Sequence, residues 1–209
     1  MFKPIILIFI DHMPLNKIIV LLGMLFLQGS SPPDEPYKVR GKVSIFPQRT
    51  LKWEDFKKVD VIKGKTSINA ICISSCEVEI LALTPLKDHV YLTIEAKVQL
   101  QKELTQVNVD FLSRSDERIK SQVLHHENGH FLIAQIIGHR IVRDVNAYKF
   151  HPKNYKVQLN AIIRENFKDW NRLDSQYDAQ TTKPRNKEMQ MKWDRFFLAE
   201  LEDLKTTIY

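Results

Sequence analysis

The apolar residues of this 209-residue chain change their spacing once, near Ser113, and that change constrains the fold more than any other feature. Before it the period is mostly two. Val39, Val43 and Ile45 alternate with polar residues, as do Ile68, Ala70 and Cys72, and then Val78, Ile80 and Ala82. Residues 89–100 and 107–112 continue the pattern, which predicts strands with one face in a core and one in water. Trp53 and Phe56, three apart, predict a helical turn between the first strands. After Ser113 the period is helical. Ser115 and Asp116 are N-cap residues for a long helix, ERIKSQVLHHENGHFLIAQIIGHRIVRDVNA. A second helix is predicted from about Tyr155 to Tyr177, with Leu159, Ile162, Ile163, Trp170 and Leu173 on one stripe. A third is predicted from about Asn186 to Lys205, with Lys183-Pro184 breaking the chain between them. The expected class is α+β: an N-terminal, mostly antiparallel sheet packed by the long helix and two C-terminal helices.

The N-terminal thirty residues stand apart from that pattern. Two apolar runs, 4–10 and 18–27, are both shorter than the roughly 20 residues that span a bilayer. The second suits a signal-peptide core, with Lys17 as its positive flank, and Met13 makes a tidier start than Met1. Leu27 stands where cleavage favours a small residue, so an uncleaved N-terminal anchor is the alternative. Residues 1–30 are therefore read as a signal peptide or anchor, 31–36 (SPPDEP) as a linker, and 37–209 as a single domain. The expected destination is export, periplasmic or secreted, with membrane contact only through an uncleaved N-terminal segment.

Composition excludes several classes. Only 6 Gly and 9 Pro, with 44% apolar residues, exclude collagen-like and disordered chains. A net charge of +6 is spread along the chain without a basic, aromatic-interleaved patch, so no nucleic-acid partner is expected. Cys72 and Cys76 flank three residues. A hairpin there would let them form a disulfide, whereas one straight strand would hold them roughly 13 Å apart as free thiols.

The chemistry concentrates in His126-Glu127-Asn128-Gly129-His130, an H-E-x-x-H match inside the long helix. Residues four apart on a helix share a face, so two imidazoles can bind one zinc ion. Glu127 can then act as general base on a water activated by zinc, and peptide hydrolysis is the usual outcome. Gly129 costs about 1 kcal/mol in a helix interior, which implies close approach of a strand or substrate. His125 is rotated about 100° from His126 and is expected outside the ligand set. A third ligand is not singled out by spacing. His139 faces about 180° away, Asp144 lies roughly 21 Å along the axis, and Glu165 projects away from the apolar stripe of its helix. His151, in a loop, stays open.

Together these residues resemble bacterial secreted zinc-dependent proteases, the group named domain of unknown function 922. The family's W-x-D-F element reads Trp53-Glu54-Asp55-Phe56 here, and its H-E-x-x-H-F reads His126 to Phe131. Its Y-D-x-x-T-x-H reads Tyr177-Asp178-Ala179-Gln180-Thr181-Thr182-Lys183, followed by Gln190 and Trp193. The resemblance implies a zincin-like fold, a zinc cofactor, and a peptide or protein substrate. Departures are Leu132 and Gln135, where acidic residues are frequent, and Lys183 in place of a histidine. A protonated lysine cannot coordinate zinc. If that histidine is the family's third ligand, the site is either weakened or completed by Asp178. The contrasting expectation is a degenerate, secreted binding module on the same scaffold. Tyr177 and Trp193 are read as packing residues.

Overall fold

The computed structural model describes residues 6–7, 41–64, 67–182 and 186–208. The predicted leader (apart from residues 6–7), the 31–36 linker and Lys183 fall outside the described residues.

The chain is α+β, as the change of period predicts, but its strands form two sheets. The larger has the order β1 (Ile6–Leu7), β5 (Ser74–Pro85), β6 (Val90–Leu100), β2 (Gly41–Phe46). Strands β5 and β6 form its antiparallel centre, and β2 runs parallel to β6 from Gly41 opposite Ile94 to Phe46 opposite Gln99. The smaller has the order β3 (Lys57–Val59), β7 (Gln106–Asn108), β4 (Ala70–Ile71), with β3 parallel and β4 antiparallel to β7. A 3-10 turn at Trp53–Asp55 stands between β2 and β3, as the Trp53/Phe56 spacing predicts.

Alternation overstates the last strand. Residues 107–112 do not continue as one strand: β7 ends at Asn108, and α1 (Val109–Arg114) begins. The Asn108 side chain accepts a hydrogen bond from the Phe111 N–H at 2.9 Å, and this cap turns the backbone into a helix. Its amide also donates to the Asp60 carbonyl at 2.6 Å, tying the turn to the end of β3.

Cys72 and Cys76 are free and buried. The residues between them form no hairpin, because Ile73 carries the chain from β4 in one sheet to β5 in the other. Its N–H is held by Thr105 Oγ1 at 3.1 Å, and its carbonyl accepts from the Gln101 N–H at 2.8 Å.

Helix α2 (Glu117–Ala147) matches its predicted bounds and opens on Asp116, whose side chain accepts from the Ile119 N–H at 2.7 Å. Helices α3 (Tyr155–Thr181) and α4 (Lys187–Ile208) follow. Helix α2 is the middle layer. One side lies on β2, β5 and β6, and the other takes α3 and α4. Ile133, Ile136, Ile137, Ile141 and Val142 are fully buried, as a helix covered on both sides requires. Among the described residues, no helix is long and apolar enough to cross a membrane.

The helix meets the sheet most closely at Gly138. A Cβ there would stand 2.6 Å from Val98 Cγ2 and 3.4 Å from Val43 Cγ1. Gly138→Ala gains about 1 kcal/mol of helix propensity but overpacks the interface, which costs about 1–3 kcal/mol. The expected result is a lower urea midpoint at unchanged m-value; an unchanged or higher midpoint would contradict this packing.

Candidate metal centre

Helix α2 presents His126 and His130 on one face, with ring centroids 4.9 Å apart and planes at 86°. Helix α3 presents Asp174 and Asp178, also one turn apart, to the same place. Asp178 Oδ1 stands 3.2 Å from the Nε2 of both histidines, and the two Nε2 atoms are 3.2 Å from each other. Asp174 Oδ1 holds the far nitrogen of His130, Nδ1, at 2.6 Å. Thus His126, His130 and Asp178 form a group able to hold a metal ion. Of the open third donors, the structure brings Asp178 to the histidines. Glu165 is exposed and paired with Lys168, while His151 is exposed, its Nδ1 accepting from the Lys153 N–H. His139 is buried on the unbroken α2, and Asp144 pairs with Arg143 and Asn166.

The two middle residues of the motif fix neighbouring segments. Gly129 is needed because a Cβ there would clash with the hydroxyl end of the Tyr177 side chain. The close neighbour is therefore a side chain of α3, neither a strand nor a substrate. Tyr177 is fully buried and stacks on the His126 ring at 4.8 Å and 11°. Its hydroxyl donates to the His126 carbonyl at 3.0 Å and accepts from Gln190 Nε2 at 3.0 Å. Burial pushes its phenol above the ordinary range, so it remains a neutral donor. Trp193 is buried too and donates to Gln180 Oε1 at 2.9 Å. Both therefore pack, as expected, and Tyr177 also anchors the motif.

Asn128 faces the other way. Its Oδ1 accepts from the Leu51 N–H at 2.7 Å, and its Nδ2 donates to the Leu51 and Leu124 carbonyls. This clamps the loop before the Trp53–Phe56 element onto α2. The element itself is tied by Arg49, which makes paired bonds of 2.7 and 2.8 Å to Asp55, and by Trp53 packing edge-on against Phe111. His125 pairs with Asp194 at 2.8 Å, outside the ligand group.

The site's charges respond to burial and to one another. Burial raises the Glu127 carboxyl above its usual range, against the pull of His130, His126 and the Cys72 backbone N–H. Burial opposes a charge on His130, yet the bonds to Asp174 and Asp178 win and hold its imidazole well above the ordinary range. Burial likewise opposes a charge on Asp178, but both histidines hold its carboxyl below the usual carboxylate range. Two ring nitrogens and a carboxylate oxygen thus converge where only positive charge, a proton or a metal ion, can hold them together. Burial, then Glu127, keeps Cys72 a thiol.

A cavity of about 1130 Å³ opens onto these residues. One wall is the contiguous run 67–73 around β4; the others come from α2, the end of α3 and the start of α4. Because the Asn69 carbonyl bonds to the Asn108 N–H of β7, alternation turns the N–H groups of Ala70 and Cys72 to the edge that pairs with no strand among the described residues. The Cys72 N–H meets Glu127 there.

Spacing on its own missed Asp174, Thr181 and Asn128. The signals available were the Asp174-x-x-x-Asp178 spacing, which mirrors His126-x-x-x-His130 on the facing helix, and the place of Thr181 in the Tyr177-to-Lys183 motif. Removing the clamp in Asn128→Ala should cost about 1–3 kcal/mol, the range for stranding buried backbone groups. Denaturant unfolding reads that cost; stability within error of the parent would show that the loop is held by other contacts.

No curated protein and no solved structure is significantly similar to the chain. Residues 88–184, which hold the whole histidine and aspartate group, match the family model described as bacterial protein of unknown function (DUF922).

Proposed function

We propose that the chain is an exported zinc-dependent metallopeptidase in which His126, His130 and Asp178 hold the metal and Glu127 is the general base. The observation that carries this reading is the triangle of donor atoms, 3.2 Å on every side. Tetrahedral zinc with ligands at about 2.0–2.1 Å requires its donor atoms about 3.3–3.4 Å apart. The residues present fit that ion closely, and two nitrogens with one carboxylate oxygen are donors that zinc accepts. Three protein ligands, with the cavity alongside, match the pattern of a catalytic rather than a structural site. When bound, zinc would polarise the scissile carbonyl and acidify water at the site.

The remaining roles belong to the chain's own residues. Glu127 is 5% exposed, lines the cavity and has a raised proton affinity from burial. Those properties suit a group that takes a proton from the attacking water and passes it to the leaving amine. The Cys72 N–H orients its carboxylate. Beside it, the outward N–H and carbonyl of Ala70 offer an edge on which an extended peptide can pair as an added strand. The signal-like segment before the domain supports export, so the proposed substrates are peptides or proteins met outside the cytoplasm.

Purified protein should retain about one zinc per chain after dialysis, and His126→Ala should lose it. Glu127→Gln should keep the metal and lose about 10²- to 10⁴-fold of casein or peptide hydrolysis, the range for a general base. Protein without stoichiometric zinc would end the metal reading. Zinc held without turnover of any broad peptide substrate would end the peptidase reading and favour a secreted binding module.

A further inference from the structure

Thr181 closes α3 and is buried beside the metal centre, with Oγ1 in two contacts. It lies 2.7 Å from the Tyr177 carbonyl oxygen and 3.1 Å from His126 Nδ1. A hydroxyl has one hydrogen to give. The carbonyl can only accept, and 2.7 Å is the usual length of an O–H···O bond, whereas 3.1 Å lies in the N–H···O range. The hydroxyl hydrogen therefore goes to Tyr177, and Oγ1 is left to accept from His126. That requires the proton of a neutral His126 to sit on Nδ1, so Nε2 is left bare to accept from His130 Nε2 at 3.2 Å, although the Asp178 carboxylate at the same distance would favour a proton on it.

We infer that Thr181 is a positioning residue that locks His126 in its Nδ1–H tautomer before any metal arrives. The inference rests on the metal reading of the site for its consequence, but the tautomer itself is a property of the metal-free chain. His130 is held differently. Its Nδ1 faces the Asp174 carboxylate at 2.6 Å, which has no hydrogen to offer. The two ligands thus point the same nitrogen inward under different control, a carboxylate for one and a neutral hydroxyl for the other. The hydroxyl is selective only because its hydrogen is committed to Tyr177, the residue whose ring stacks on the same histidine. A side chain that could accept but not donate would do the same work, and one that could do neither would release the tautomer.

The test uses the full chain labelled with 15N at histidine and freed of metal by chelation. Long-range 1H–15N correlation spectra should show His126 protonated at Nδ1 and bare at Nε2. In Thr181→Val, which keeps the side-chain shape, the Nε2–H form should appear. Zinc affinity by chelator competition should then fall about 10- to 100-fold, the usual effect of losing such a partner. Thr181→Ser, which keeps the hydroxyl, should restore both readouts. The assignment is overturned if the parent protein carries its His126 proton on Nε2. It also falls if Thr181→Val leaves the tautomer unchanged, with or without a loss of affinity, or if Thr181→Ser fails to rescue. A parent protein that binds no zinc would instead defeat the metal reading, and the spectra would still decide the role of Thr181.

Discussion

The contact between Tyr177 and Gly129 sets the geometry on which the candidate metal site depends. Helices pack with their axes about 8–10 Å apart, and the spacing at any level is set by the side chains between them. At the level of the motif, α2 offers no side chain at Gly129, and the Tyr177 ring occupies that place. This brings the next residue of α3, Asp178, within 3.2 Å of both imidazoles. The ring also stacks on His126 and bonds to its carbonyl, so the residue that sets the helix separation orients one of the two histidines as well. Two helical pairs, His126 with His130 and Asp174 with Asp178, then meet one turn against one turn. A regular helix places such pairs together without special backbone geometry.

That arrangement needs a rigid α2, and the larger sheet supplies it. The distal half of α2 is seated on β2, β5 and β6 by fully buried isoleucines and by the Gly138 approach. The proximal half carries the histidines and has the short β4 beside it. One helix is therefore core at one end and site at the other. Four residues along the motif share the labour: His126 and His130 face the ligand group, Asn128 grips the Leu51 backbone, and Gly129 admits Tyr177. Glu127 faces β4 and takes the Cys72 N–H. This division explains how an apolar segment tolerates so many polar side chains, since each has a partner and burial without one would be costly.

How far the fold was legible depended on whether a feature is local. The bounds of α2 and the Trp53 turn could be read from the chain, because capping and 3.6-residue periodicity act over a few residues. His126, Glu127 and His130 were legible for the same reason: their relation is one turn of one helix. The third donor was legible only as a choice that included Asp178, Glu165 and His151, because it depends on which face of α3 lies on α2. Asp178 and Glu165 sit on one helix, and only packing brings the former to the histidines while the latter pairs with Lys168 in water. Asn108 misled for a related reason. Its alternation with apolar neighbours continues a strand, but its side chain caps the next helix. Likewise, the three residues between Cys72 and Cys76 look like a hairpin loop until the bonds to Thr105 and Gln101 carry them from one sheet to the other.

The pattern of tyrosine, aspartate and threonine near the end of α3 acquires a physical meaning from these contacts. Tyr177 and Thr181 are four apart, so the threonine hydroxyl can reach back to the tyrosine carbonyl at 2.7 Å. That bond takes the hydroxyl hydrogen and leaves the oxygen facing His126 Nδ1 on α2 at 3.1 Å. Asp178 follows Tyr177 directly and is rotated by about 100°. As the ring passes over Gly129, the carboxylate is therefore directed to the histidine nitrogens. A shift of one residue in any of the three would break the set: the ring would meet a Cβ, the carboxylate would miss the imidazoles, or the hydroxyl would lose its carbonyl. The spacing on α3 is thus dictated by the spacing on α2, and the two segments are best regarded as one site written on two helices.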